Sequence, residues 1–302
     1  MSQLRIGVSG WTYPEWRGVF YPKGLVQKRE LEYVSGRMNS VEINGSFYSL
    51  QSPESYKKWA AAVPDDFIFA LKGSKFITHT RKLRDVRNPL ANFFASGILL
   101  LGDKLGPVLW QFAPWFRFDA EVIAEFLALL PRTTSVAARL SHENTIKTSS
   151  KAWTKEVSDV ELRYAFEPRH ESFFTAEFIE LLRSRNDALA IADTGGKFAF
   201  AEDVTADFLY IRLHGESLYL SDYTGEVLDI WARRIKTWQK GSEHRDAVKI
   251  TKTKPPKRAR DIYVYFDNSI AGHAPFDAIH LAELLGTSRA VSPGDTRFMR
   301  AT

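Results

Sequence analysis

Residues 40–50, "SVEINGSFYSL", open as a strand and then place Glu42 and Asn44 where apolar side chains are expected. A strand turns alternate residues to opposite faces, so Val41 and Ile43 share one side while Glu42 and Asn44 share the other. On an open, half-exposed sheet the polar side would meet water. In a closed barrel it would look into an enclosed mouth. The choice depends on how many such strands the chain contains.

Eight short apolar runs recur: "LRIGVSG" 4–10, "SVEIN" 40–44, "FIFALKG" 67–73, "GPVLWQFA" 106–113, "RYAFEPR" 163–169, "ALAIADT" 188–194, "FLYIRLHG" 208–215 and "DIYVYFDN" 261–268. Between them, "SPESYKKWAAAV", "DAEVIAEFLALLP", "TAEFIELLRSR" and "GEVLDIWARRIKTW" carry helix-spaced apolar residues, several opening on a Ser, Asp or Thr cap. A strand followed by a helix, repeated, favours a parallel sheet. Eight repeats at this length favour an α/β fold, the closed (β/α)8 TIM barrel, over an open doubly wound sheet. No glycine-rich dinucleotide fingerprint follows the first strand, which counts against the open sheet. The chain reads as one barrel domain over residues 1–302, with insertions at 131–162 before the fifth strand and 241–260 before the eighth, and a tail at 286–302.

Of the 302 residues, 44% are hydrophobic and 25% charged, as in ordinary globular proteins. There is no cysteine, which excludes disulfides, thiolate metal ligands and a cysteine nucleophile. The N-terminus lacks a signal-like pattern, and no stretch approaches about 18 uninterrupted apolar residues. A cytoplasmic protein with no membrane partner is expected; its oligomeric state is not legible. The net charge of +5 is local, because "KITKTKPPKRAR" at 249–260 holds six Lys or Arg, and the rest of the chain sets 35 bases against 36 acids. This run is either a solvated loop or a contact for an anionic surface such as nucleic acid. In a barrel it lies at the end opposite the usual active site.

Seven successive strands end in ionisable or amide groups. The second offers Glu42 and Asn44, the third Lys72, the fourth Gln111, the fifth Glu167 and Arg169 with His170 beyond, the sixth Asp193, the seventh Arg212 and His214, and the eighth Asp267 and Asn268. Any one of these can be a salt-bridge partner, and Arg169 and Arg212 can neutralise Glu167 and Asp193. A whole ring is harder to explain that way, since buried charge is costly without a partner or ligand. The candidate catalytic set is Glu42, Glu167, His170, Asp193 and His214, carboxylates and imidazoles suited to proton transfer. The candidate substrate-binding set is Asn44, Tyr48, Lys72, His79, Gln111, Arg169, Arg212, Asp267 and Asn268, with the three cations suited to a phosphate or carboxylate. No cofactor is expected. A divalent metal is compatible with these residue types, but no H-E-x-x-H spacing signals one, and no G-x-S-x-G elbow signals a serine nucleophile.

Two further features have paired readings. Trp11, Tyr13, Trp16, Phe47 and Tyr48 form either a stacking wall or loop packing. The helix opening near Pro275 has no good side-chain cap, so Gly272 and its neighbours are either anion contacts or a water-capped start.

The motifs "IGVSGWTYPEWRGVFYP", "VEINGSFY", "FIFALKGSKFITH", "LGPVLWQFAPWF", "FEPRHESFF", "YIRLHG" and "IYVYFDNSIAGHAPFDA" resemble, in order, those of the domain-of-unknown-function 72, or YecE-like, family. The resemblance runs from about residue 4 to 285 and implies a TIM barrel but no particular reaction. It matches Glu42, Asn44, Phe47, Tyr48, Lys72, Thr78, His79, Glu167, Arg169, His170, Arg212, His214 and Gly215 to the family's motifs. Gly45, Phe173, Phe174 and "ADTGG" depart from them. The leading expectation is a hydrolase, lyase or isomerase using acid–base chemistry on an anionic, phosphate-bearing, polyhydroxylated small molecule or nucleotide. The alternatives are a nucleic-acid-binding or -processing barrel, by fold analogy with endonuclease IV, and a non-catalytic ligand sensor.

Overall fold

The computed structural model describes residues 2–148, 151–215, 221–223, 225–270 and 272–289. Eight parallel strands close in sequence order, with the last pairing to the first. They are β1 Leu4–Ser9, β2 Ser40–Ile43, β3 Ile68–Lys72, β4 Leu105–Gln111, β5 Tyr164–Glu167, β6 Ala188–Asp193, β7 Phe208–Leu213 and β8 Asp261–Phe266. The α/β (β/α)8 TIM barrel read from the strand count is the fold. Helices between the strands include α1 Glu30–Ser35, α2 Gly45–Tyr48, α3 Pro53–Ala61, α4 Arg87–Ala95, α5 Ala120–Leu129, α6 Thr134–Ser141, α7 Ala176–Arg185, α8 Gly225–Gln239 and α9 Ala274–Leu284. The Ser, Asp and Thr caps form as expected: Ser52, Asp119 and Thr175 each accept a backbone N–H from the first turn of α3, α5 and α7.

Strand alternation divides the apolar residues into two cores. Leu4, Ile6 and Val8, Val41 and Ile43, and Leu189 and Ile191 face the helix layer. The other parity fills the barrel. There β7 and β8 supply the rings of Phe208, Tyr210, Tyr263 and Tyr265, and the remaining strands answer with Ala70, Leu109, Ala165, Ala188 and Ala190. Four large rings from two adjacent strands leave room for little more than alanine opposite, so the interior is a packed plug. The inward parity continues upward through Glu42, Lys72, Gln111, Glu167, Arg212 and, just past the strands, His214 and Asp267.

Two local readings change. The fifth strand stops at Glu167, so Arg169 lies in the following loop. The 131–162 segment contains α6, which packs against α4. No helix of the described residues is long and apolar enough to cross a membrane.

Gly7 faces inward on β1 beside Ser40, and a Cβ there would collide with the Ser40 carbonyl. Gly7→Ala is expected to cost about 1–3 kcal/mol by forcing β1 and β2 apart. A lower midpoint in urea with an unchanged slope is the expected reading; an unchanged midpoint refutes the packing account.

Candidate functional site

Arg212 rises from β7 into the upper barrel and is fully buried. Its Nη1 donates to Glu167 Oε2 at 2.7 Å, and its Nη2 donates to Glu42 Oε1 at 2.9 Å and Asp267 Oδ2 at 2.8 Å. Ser9 Oγ lies 3.3 Å from Nη2, and His214 Nε2 lies 3.4 Å from Nη1. Side chains from β1, β2, β5, β7 and the ends of β7 and β8 thus meet on one guanidinium. Its terminal nitrogens are occupied, so it organises carboxylates more than it faces the mouth.

Each carboxylate has further partners. Glu42 Oε1 accepts from Ser9 Oγ at 2.8 Å, and its Oε2 accepts from the Tyr210 hydroxyl at 2.5 Å. Glu167 Oε1 accepts from Gln111 Nε2 at 2.7 Å and Arg169 Nε at 3.1 Å. Burial would raise the Glu167 carboxyl, but Arg212, Arg169, His214 and Lys72 together hold it well below the usual carboxylate range. Burial likewise opposes ionisation of Asp267, yet Arg212 and His214 lower it to about 2. His214 Nδ1 lies 3.2 Å from Asp267 Oδ2. Of the three carboxylates only Asp267 keeps appreciable exposure, with its side chain 13% accessible against 0% and 1% for Glu42 and Glu167.

Lys72 ends β3 beside this cluster and is 8% exposed. Its Nζ lies 4.5 Å from the centre of the Phe47 ring, a contact supplied by α2. Among the described residues its ammonium makes no hydrogen bond or ion pair. Burial first, then the nearby Arg212, lower its pKa to about 8. His79 belongs to a π-helical turn, Phe76–Thr80, where its Nδ1 pairs with Thr78 Oγ1 at 2.8 Å and its ring meets Phe47 edge-on. Burial, Lys72 and Arg169 press its pKa down, so the imidazole is neutral at pH 7. Immediately beyond, Lys82, Leu83 and Asp85 adopt φ of 51°, 64° and 52°. Three left-handed non-glycine residues in one loop are a strained conformation, held here by the buried Leu83 side chain.

The remaining candidates are placed differently. His170 turns back to accept the Ser172 N–H through Nδ1 at 3.1 Å. Asp193 falls on the outward parity with Leu189 and Ile191; its Oδ2 accepts from the Tyr223 hydroxyl at 3.1 Å. Asn268 shares the parity of Phe266 and ties β8 to α9 through Asp277 at 2.7 Å. The aromatic loops divide between both readings. Trp16 is buried packing whose Nε1 donates to the Ser269 carbonyl, whereas Trp11, Tyr13, Asn44 and the exposed Tyr48 line a pocket of about 290 Å³. The start of α9 carries no side-chain cap, and Gly272 approaches the Trp16 ring. Among the described residues, no group of three or more His, Asp or Glu side chains is arranged to hold a metal ion.

Ser9, Tyr210 and Tyr265 were not among the sequence candidates. Tyr210 had a usable signal, because "YIRLH" puts it on the face of Arg212 and His214. Ser9 and Ser40, the latter 2.7 Å from the Tyr265 hydroxyl, are small strand residues with no such signal.

A family model described as "Protein of unknown function DUF72" matches residues 5–298. The chain belongs to this family. Among DUF72-type relatives, UPF0759 protein YunF of Bacillus subtilis is 22% identical over 93% of this chain and 94% of its own length. UPF0759 protein YecE of Escherichia coli is 27% identical over 46% of this chain and 48% of its own. A DUF72 family protein from Thermotoga maritima superposes with a TM-score of 0.70 at 23% identity, covering 94% of this chain and 99% of that one. One from Enterococcus faecalis gives 0.67 at 18% identity, covering 94% and 96%. These likenesses show the shared fold.

Removing the guanidinium should unmask three buried carboxylates. Arg212→Met is expected to lose about 3–5 kcal/mol at neutral pH. Glu167 and Asp267 have depressed folded values, so the stability they confer is fully present above their unfolded values near 4 and is lost as pH falls toward 2. The gap between wild type and Arg212→Met should therefore narrow on acidification. Urea melts at neutral and acid pH check this, and a constant gap refutes it.

Proposed function

We propose that the barrel mouth binds a small anionic, hydroxyl-bearing molecule and transforms it by acid–base chemistry, as a hydrolase, lyase or isomerase. The observation that carries this reading is Lys72, a residue nine-tenths buried whose ammonium has no carboxylate paired to it among the described residues. Burying a charge is costly unless something compensates it directly. A ligand carboxylate or phosphate between Lys72 and Arg169 supplies that compensation.

The acid–base groups in this reading are Asp267 and His79. Asp267 is ionised and the most exposed carboxylate of the cluster. His79 is neutral with Nδ1 already engaged, which leaves Nε2 as its working nitrogen. Arg212 and His214 position Asp267, and Thr78 and Phe47 position His79. The aromatic pocket beside Asn44 offers faces for the apolar side of a sugar or base. A nucleic-acid partner has weaker support. In the basic run, Lys249 pairs with Glu243 and Arg260 is buried, leaving Lys252, Lys254, Lys257 and Arg258 exposed at the opposite end of the barrel.

The test is a thermal-shift panel of sugar phosphates, hydroxycarboxylates and uncharged sugars, followed by product analysis for each binder. Stabilisation is expected from the anions alone, absent in Lys72→Met, and fading as pH rises through about 8, where the ammonium loses its proton. Equal shifts from uncharged sugars would overturn anion recognition; binding without any product would make the protein a sensor.

A further inference from the structure

We propose that Lys72 Nζ is a nucleophile that condenses with an anionic aldehyde or ketone to form an imine inside the barrel mouth. This rests on the anion-binding reading of the same mouth and names its substrate class.

Four features of the structure lead to it. First, the amine is uncommitted: among the described residues it has no hydrogen bond or ion pair, although Glu42, Glu167 and Asp267 are all close enough to influence its charge. Those carboxylates are instead drawn to Arg212, which keeps them from locking the ammonium in place. Second, its position is enforced. Lys72 is the last residue of β3, its carbonyl accepts from Ser46 Oγ at 2.7 Å, and its amine rests over the Phe47 ring. The ring excludes water from one side of the amine, while burial disfavours its charged form. Third, burial lowers its pKa to about 8, so about a quarter is free base near pH 7.5 against about a thousandth for an ordinary lysine. Fourth, proton-transfer groups stand around it: His79, whose titration Lys72 itself depresses, and Asp267.

The step balances with these groups alone. The Nζ lone pair adds to the carbonyl carbon while the C=O π pair moves to oxygen, which takes a proton; the added nitrogen gives one up. The resulting carbinolamine expels its hydroxyl as water after protonation, and the nitrogen lone pair forms the C=N bond. One water is released and no redox partner is needed. The protonated imine withdraws electrons from the adjacent carbon, where Asp267 or His79 can remove a proton. Arg169, at the rim of the mouth and partly exposed, holds the substrate's carboxylate or phosphate.

Reductive trapping tests this on the full chain. Wild type is incubated with pyruvate, dihydroxyacetone phosphate or uncharged dihydroxyacetone, sodium borohydride is added, and adducts are mapped by peptide mass spectrometry. The expected result is an adduct at Lys72 at least about tenfold above those at exposed Lys57 or Lys252. The two anionic probes should exceed the uncharged one, and yield should rise through about pH 8. Lys72→Arg, confirmed folded by its melting transition, should lose the adduct. Adducts spread evenly over the lysines, or none with any probe, overturn the proposal. Stabilisation of wild type by inorganic phosphate is measured in parallel. A phosphate shift without trapping removes the imine and leaves anion binding; trapping at Lys72 without a phosphate shift or any preference for charged probes removes anion binding and leaves the imine.

Discussion

One buried guanidinium, Arg212, holds three carboxylates that arrive from three different strands or strand ends. Two charges taken out of water already carry a large desolvation cost, and three anions around one cation would repel each other without dense hydrogen bonding. Here that bonding is present. Ser9, Tyr210, Gln111 and Arg169 each donate to Glu42 or Glu167, and His214 faces Asp267. The network spans the barrel just above the packed rings of Tyr210 and Tyr265, so the apolar plug and the polar layer share side chains. Tyr210 belongs to both. Strand closure, interior packing and the geometry of the mouth therefore depend on the same few residues.

The charge balance of this layer explains the character of the mouth. Arg212 alone leaves the three carboxylates in excess; Lys72 and Arg169 are the nearby cations that offset them. Arg169 does so by a direct hydrogen bond to Glu167, Lys72 only through space. An ammonium stabilised at a distance stays available to a ligand. A guanidinium enclosed by carboxylates does not. The two cations nearest the centre thus have different uses: Arg212 makes the site rigid, and Lys72 gives it something to offer.

Much of this was legible from strand alternation. Counting eight apolar runs led to the barrel, and period two correctly put Glu42 opposite Val41, and Arg212 with His214 on one face. What alternation does not carry is which side chains meet across the barrel. That depends on stagger between strands, such as the register pairing Ser9 with Glu42 and Arg212 with Tyr265. Local pattern offered Asp193 as a partner for an arginine, but its parity turns it outward toward Tyr223. His170 likewise had the right chemistry, and a short loop hydrogen bond to Ser172 decided its direction. Alternation still holds at His214 and Asp267, one residue past their strands, and gives way to loop hydrogen bonding at His170, three residues past β5.

The division between a rigid layer and the loops above it also bears on how this barrel acquires specificity. The hub residues stand on strands or one residue beyond, where neighbouring backbones fix them to within small displacements. His79 stands in a π-helical turn, Tyr48 at the end of the short α2, and Trp11 and Tyr13 in the loop after β1, the last three lining the aromatic pocket. Loops can change in sequence and length without disturbing strand closure. In the proposed reading, substrate shape is read by the loops, whereas the charge a substrate must carry is set by Lys72 and the layer beneath it. On that reading, a change confined to Trp11 or Tyr48 alters which molecule fits. A change at Arg212 removes the frame that keeps the carboxylates away from Lys72, and with it the condition the proposed anion binding requires.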